Sequence, residues 1–190
     1  MDESFDTLPD NLPQPVNDQL CNHLLGMQIP DMTFLSTQNN LISILNHENK
    51  FLVLYFFPQM ALDMNELPPN WNSIPGARGC TPQNITINQN LKHFLKYDAR
   101  LIGVSTQSNE ELLDISLRRK LSQEFISDSQ LKLKKKLDLP TFKTGNKTRY
   151  KRLTLVLNKS KIVGVFYPIF PPDKHAFEIL DWLEHNSKKY

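Results

Sequence analysis

The run FLVLYFFP, Phe51 to Pro58, decides the architecture. Its apolar and aromatic residues show no alternation, so neither side of the segment is meant for water, and Pro58 ends it. This is the pattern of a central strand covered on both faces, which requires a layer above and a layer below. Downstream, Arg100 to Thr106 repeats it. Ser108 then stands three residues ahead of Glu111, a capping box that opens an amphipathic helix. A short strand at Phe125 to Ser127 and a basic amphipathic segment stopped by Pro140 follow. Arg152-LTLVLN and Lys161-IVGVFYPI read as two strands joined by a polar turn at Lys159 and Ser160. A helix from about Asp173 to Asn186 closes the chain. Strands alternating with helices, plus a late hairpin, predict an α/β sandwich with a central mixed sheet and helices on both faces.

The 190 residues show no compositional break in the middle, so one domain is expected over 23–190. Residues 1–22, acidic and proline-rich, read as a flexible N-terminal extension. They carry no basic n-region and no apolar h-region, and the expected setting is cytoplasmic. With 22 Lys and Arg against 20 Asp and Glu, the net charge of +2 gives no ground for a nucleic-acid or membrane partner. The basic run Lys132 to Lys136 is interleaved with leucines (Leu131, Leu133 and Leu137) and reads as the solvated face of a helix. His23, His47, His93, His175 and His185 show no ligand spacing, so no metal is expected, and they read as surface residues. Trp71, Phe166, Tyr167 and Phe170 are assigned either to packing or to a pocket wall, the late aromatics to packing first.

Working outward from the central strand, a long Pro-, Asn- and Gly-rich loop ends in IPGARGCTPQN, Ile74 to Asn84. From Pro82 the spacing of Ile85, Ile87, Leu91, Phe94 and Leu95 predicts a helix with one apolar face, which sets Cys80 at the helix N-terminus. There the unpaired backbone N–H groups and the positive end of the macrodipole stabilise a thiolate, the reactive form of the residue. Small and polar neighbours predict an accessible sulfur, with Arg78 nearby as a second positive charge. The competing reading is a structural cysteine placed where glycines allow close packing. The other cysteine, Cys21, shares no CxxC spacing with Cys80, and two cysteines make no disulfide framework.

In order, FLVLYFFP, IPGARGCTPQ opening a helix, RLIGVSTQS, FISD, KRLTLVLNKSKIVGVFYP and a final LDWLEH resemble the peroxiredoxins. The nearest group is the bacterioferritin-comigratory, or Q-type, one, and the likeness runs from about residue 24 to residue 186. The resemblance implies a thioredoxin-like fold and thiol-dependent reduction of hydrogen peroxide or organic hydroperoxides. No cofactor is implied, and the electrons would come from thioredoxin, glutaredoxin or a small thiol. It makes Cys80 the peroxidatic cysteine and Arg152 the arginine that holds thiolate and peroxide. Pro58 becomes the proline shielding the pocket, with Gly79, Thr81 and Arg78 around it.

Two positions depart from the family pattern. Ala77 stands where a threonine or serine hydroxyl is usual, leaving Thr81 and Arg78 as substitutes for that donor. Ile85 stands where many members carry a resolving cysteine, so the sulfenic acid at Cys80 would be resolved by an external thiol or by Cys21. Those losses motivate the alternative of a non-enzymatic redox-sensing or binding protein on the same fold. Monomer and homodimer are both compatible with the sequence.

Overall fold

The computed structural model describes residues 3–45 and 48–190. In chain order the elements are β1 (Thr33–Leu35), β2 (Leu41–Ser43), β3 (Phe51–Phe56), α1 (Cys80–Leu95), β4 (Ala99–Ser105), α2 (Asn109–Arg118) and β5 (Glu124–Ser127). Then come α3 (Lys132–Leu137), β6 (Thr141–Thr144), β7 (Lys147–Tyr150), β8 (Leu153–Asn158), β9 (Lys161–Phe166) and α4 (His175–Asn186).

The central sheet runs β5-β4-β3-β8-β9. β3 pairs parallel with β4 and antiparallel with β8, so the sheet is mixed. Every residue of β3 is buried. Leu52, Leu54 and Phe56 face a core completed by Ile102, Ile126, Leu133 of α3, and Ile42 of the β1-β2 hairpin. Phe51, Val53 and Tyr55 face the other core, with Ile87 of α1, Leu112 of α2 and Ile179 of α4. Each such side chain contributes about 1.5–3 kcal/mol by leaving water. Because both faces are apolar, burial alone would tolerate a one-residue slip. The polar groups at the strand ends resist it: Lys50 N–H donates to Asp98 Oδ2 at 2.9 Å and Phe51 N–H to the Asp98 carbonyl at 3.1 Å.

The capping box forms as expected, with Glu111 N–H on Ser108 Oγ at 3.1 Å and Ser108 N–H on Glu111 Oε2 at 2.9 Å. The β6-β7 hairpin was not anticipated. On α1 the expected apolar face is corrected: Leu95 is exposed, while Gln83 and Asn84 are fully buried. Asn84 accepts from the Tyr55 hydroxyl at 2.9 Å, donates to the Cys80 carbonyl at 2.9 Å, and its own carbonyl accepts from Gln123 at 2.9 Å. The first two turns of α1 therefore sit on a polar network rather than on oil, which locks the helix start more directionally than apolar packing does.

One register decides where the chemistry lies. Phe56 of β3 faces Leu153 of β8 across the ladder, so the chain just past the end of β3 emerges beside the residue preceding β8. Those are Pro58 and Gln59 on one side and Arg152 on the other.

Candidate active site

Cys80 is the first residue of α1, and Gly79 caps it with φ +103°. A Cβ at Gly79 would stand 2.4 Å from Pro172 Cγ and 2.6 Å from Leu8 Cδ2, so only glycine fits both the conformation and the space. The closeness has a consequence for the thiol: Cys80 is 2% exposed. This corrects the expectation of an accessible sulfur. Small neighbours do not leave the cysteine open; they allow Pro172 and the N-terminal segment to pack closely against the start of the helix.

Three groups meet the sulfur. The Gln59 backbone N–H donates to Sγ at 3.3 Å, Arg152 Nη2 donates to it at 3.3 Å, and the thiol itself points to the Ala77 carbonyl at 3.5 Å. Arg152 is held firmly. Its Nη2 also reaches the carbonyls of Gly76, Ala77 and Arg78 at 3.3 Å each, and Nη1 donates to Gln83 Oε1. A guanidinium stays charged at any physiological pH, so this is a fixed positive donor on a sulfur at a helix N-terminus. Such a constellation favours the thiolate and meets negative charge that develops on an atom bonded to the sulfur.

The remaining predicted residues fall elsewhere. Pro58 is buried at the end of β3, its carbonyl accepting from Ser105 Oγ at 3.3 Å. The Thr81 hydroxyl donates to the Ala61 carbonyl at 3.0 Å, which commits it to holding the loop. Arg78 is stacked over the Phe5 ring, its guanidinium carbon 3.8 Å from the centroid. Neither side chain is among the groups bonded to Sγ, and the donor beside the sulfur, besides Arg152, is the Gln59 N–H. A backbone group carries no residue-type signal, which is why the sequence did not point to it.

Among known proteins, the chain matches no family model. It is 28% identical over 160 residues to the chloroplastic peroxiredoxin Q of Sedum lineare, covering 84% of this chain and 77% of that protein. It is equally identical to the chloroplastic peroxiredoxin Q of Arabidopsis thaliana, of which it spans 66%. In structure it resembles peroxidoxin BcpB of Mycobacterium tuberculosis, with a TM-score of 0.67 at 20% identity over 85% of this chain and 96% of that one. A Xanthomonas campestris peroxiredoxin Q gives 0.64 at 21% identity, over 82% and 91%. The solved structures share the fold. In sequence the chain is similar to the Q-type peroxiredoxins.

It is a thiol-dependent peroxidase with the thioredoxin-like fold. The second thiol lies in a different core. Cys21 packs with Leu24, Ile29 and the α3 side of the sheet, whereas Cys80 belongs with the residues of the opposite face. Burial pushes the Cys21 thiol up to about 12, Asp18 pushing the same way and Lys151 opposing. Both cysteines are free. Ile85, half-buried in the second turn of α1, leaves this helix without a partner thiol.

Two aromatic assignments and the histidines are also settled by position. Trp71 is buried with its ring centroid 6.0 Å from that of Phe142. Tyr167 helps line a cavity of about 280 Å³ whose other walls include Pro15, Ile74, Gly76, Phe142 and Arg152. His175 corrects the surface reading: it is fully buried, bonded to Thr154 Oγ1 at 2.8 Å and to Glu178 at 2.7 Å. His47 lies outside the described residues. A second buried cation near the sulfur, Arg149, was missed altogether.

Residues 3 to 18, expected to be an extension, touch the surroundings of the site at several points. Phe5 lies under Arg78, Leu8 comes up to Gly79, Pro15 to Gly76, and Asp18 accepts from Tyr167 at 2.7 Å.

Proposed function

We propose that Cys80 is the peroxidatic thiol, that Arg152 and the Gln59 N–H are its electrostatic partners, and that an external thiol completes the cycle. The thiolate attacks one oxygen of the O–O bond and becomes a sulfenic acid, oxidised by two electrons. The other oxygen leaves as hydroxide or alkoxide and takes a proton. A reductant thiol then attacks the sulfenic sulfur, releasing water and leaving a mixed disulfide, and a second thiol frees Cys80.

The observation that carries the reading is the Arg152 guanidinium on Sγ at the start of α1. The external route is favoured over Cys21 because a buried thiol held mainly protonated is a weak attacker, and because the 18–26 segment would have to leave its core to reach Cys80. The apolar cavity beside Arg152 supports organic hydroperoxides as substrates alongside hydrogen peroxide. We place the cycle in the cytoplasm, where a thioredoxin-type, glutaredoxin or small-thiol pool supplies the electrons.

The test is to mix reduced protein with stoichiometric hydrogen peroxide and follow Cys80 by mass spectrometry under a sulfenic-acid trap. Oxidation is expected far faster than for a free thiol at the same pH, with sulfenic-acid-trap adducts confined to Cys80. A rate no greater than that of the free thiol overturns the proposal.

A further inference from the structure

Arg149, the residue before the end of β7, is 2% exposed. Its Nη2 donates to Gln59 Oε1 at 2.8 Å and its Nη1 to Thr106 Oγ1 at 3.0 Å. Gln59 Nε2 in turn donates to the Glu66 carbonyl at 3.1 Å. The Gln59 amide is thus gripped at both ends, and the backbone N–H of the same residue is the one that meets Cys80 Sγ at 3.3 Å. The strand that carries Arg149 is itself pinned: the Tyr150 hydroxyl donates to Asp128, and its ring lies against Phe56 with centroids 5.0 Å apart.

The charge is also unusual. Among the described residues no carboxylate comes within ion-pair distance of Arg149. Burial pulls its pKa below the usual arginine value, and Glu111 and the Cys80 thiolate oppose that pull. A buried cation lacking a direct counter-ion costs free energy that a nearby anion recovers, and the anion this site forms is the Cys80 thiolate. The charged groups around it are Arg152 before β8, Arg149 on β7, and Arg78, which is committed to Phe5. Glu111 of α2 acts on Arg149, and His175 of α4 acts on Arg152.

We propose that Arg149 is a positioning residue for Cys80, clamping Gln59 so that its N–H stays on the sulfur and standing behind the thiolate as a second fixed cation. The proposal rests on the reading of Cys80 as the reactive thiol. It gives this chain, which has Ala77 where a hydroxyl is usual, a local source of stabilisation built from β7 rather than from the loop before the cysteine.

The test compares wild type with Arg149→Met, Arg149→Lys and Gln59→Leu. Three readouts are taken: the pH profile of Cys80 alkylation by iodoacetamide, the second-order rate with hydrogen peroxide, and the thermal midpoint. Arg149→Met is expected to move the alkylation profile to higher pH and to slow the peroxide reaction about tenfold. Arg149→Lys should restore the alkylation profile, which follows charge, and only part of the peroxide rate, which also needs the bidentate grip. Gln59→Leu keeps the cation and should slow peroxide without moving the alkylation profile, and it reports even if the methionine variant does not fold. An alkylation profile and peroxide rate unchanged in Arg149→Met, or in Gln59→Leu a peroxide rate equal to wild type, overturn the assignment. A wild-type protein that reacts no faster with peroxide than a free thiol would sink the peroxidatic reading instead, and the alkylation profiles would still judge Arg149.

Discussion

Replacing Arg152 with methionine removes the site's principal charged donor while keeping most of the side-chain volume. In the native site one Nη2 serves Cys80 Sγ and the carbonyls of Gly76, Ala77 and Arg78, and Nη1 serves Gln83. Two separable losses follow. For chemistry, deleting one fixed donor aimed at developing negative charge costs on the order of 10²–10³ in rate, about 2.7–4 kcal/mol of transition-state stabilisation. For stability, the Ala77 and Arg78 carbonyls and the fully buried Gln83 lose a charged partner, and hydrogen bonds to charged groups are each worth about 1.5–3 kcal/mol. Because a single guanidinium shares its hydrogens among these acceptors, the stability loss should fall near 2–4 kcal/mol rather than at their sum. The assay is stopped-flow oxidation by hydrogen peroxide at fixed pH, with urea unfolding of the same preparations. Arg152→Lys separates the two: a point charge keeps part of the rate but cannot span Gln83 and Sγ together. A folded Arg152→Met protein that reacts with peroxide within threefold of wild type would refute the reasoning, because no other described side chain donates to the sulfur.

The other expectations are narrower. Cys21→Ser should leave steady-state peroxide turnover with a small-thiol reductant unchanged and lower stability by about 1 kcal/mol, since the hydroxyl would be buried among aliphatics; loss of turnover would mean that Cys21 resolves the sulfenic acid. Gly79→Ala places a Cβ against Pro172 and Leu8 at positive φ, and should destabilise by about 2–4 kcal/mol in equilibrium unfolding, whereas a neutral result would show that the N-terminal segment does not sit there. Burial holds the His175 pKa below its usual value, Glu178 opposing and Arg152 assisting. The unfolded chain therefore binds the extra proton first. Stability is full above about pH 6.5, the unfolded value, and falls as pH drops below it. The difference in unfolding free energy between wild type and His175→Gln should shrink over that range, and a difference that grows on acidification would reverse the sign.

Much of the frame was legible in the sequence because it depends on long apolar runs. FLVLYFF and RLIGVS had no other home than a buried sheet, and Ser108 with Glu111 marked a helix start by chemistry that survives any packing. The failures share a physical origin too. β6 and β7 are polar, short and half-buried, so periodicity is silent, although the Gly145-Asn146 dipeptide between them carried a hairpin signal. Gln83 and Asn84 were not singled out, because an inward-facing polar network looks, in one dimension, like an outward face. At the site, Cys80 was singled out by its place at a helix N-terminus and Arg152 through resemblance, and the structure joins them at 3.3 Å. Gln59 and Arg149 were not found, since one acts through its backbone and the other through the first. The burial of Cys80 was misjudged because what packs against its neighbour Gly79, Leu8 and Pro172, is remote in sequence.

The burial of Cys80 ties the enzyme's speed to its mechanics. A sulfenic oxygen added to Cys80 has to be reached by a reductant's sulfur, far larger than a peroxide, at a residue only 2% exposed, whose neighbour Gly79 is packed tightly against Pro172 and Leu8. Recovery is therefore expected to need a local opening around the first turn of α1, and the free energy of that opening would enter the rate of recovery. Substitutions that tighten residues 5 to 8 against the helix should yield a sturdier protein that stays oxidised longer, and those that loosen it a frailer one that recycles quickly.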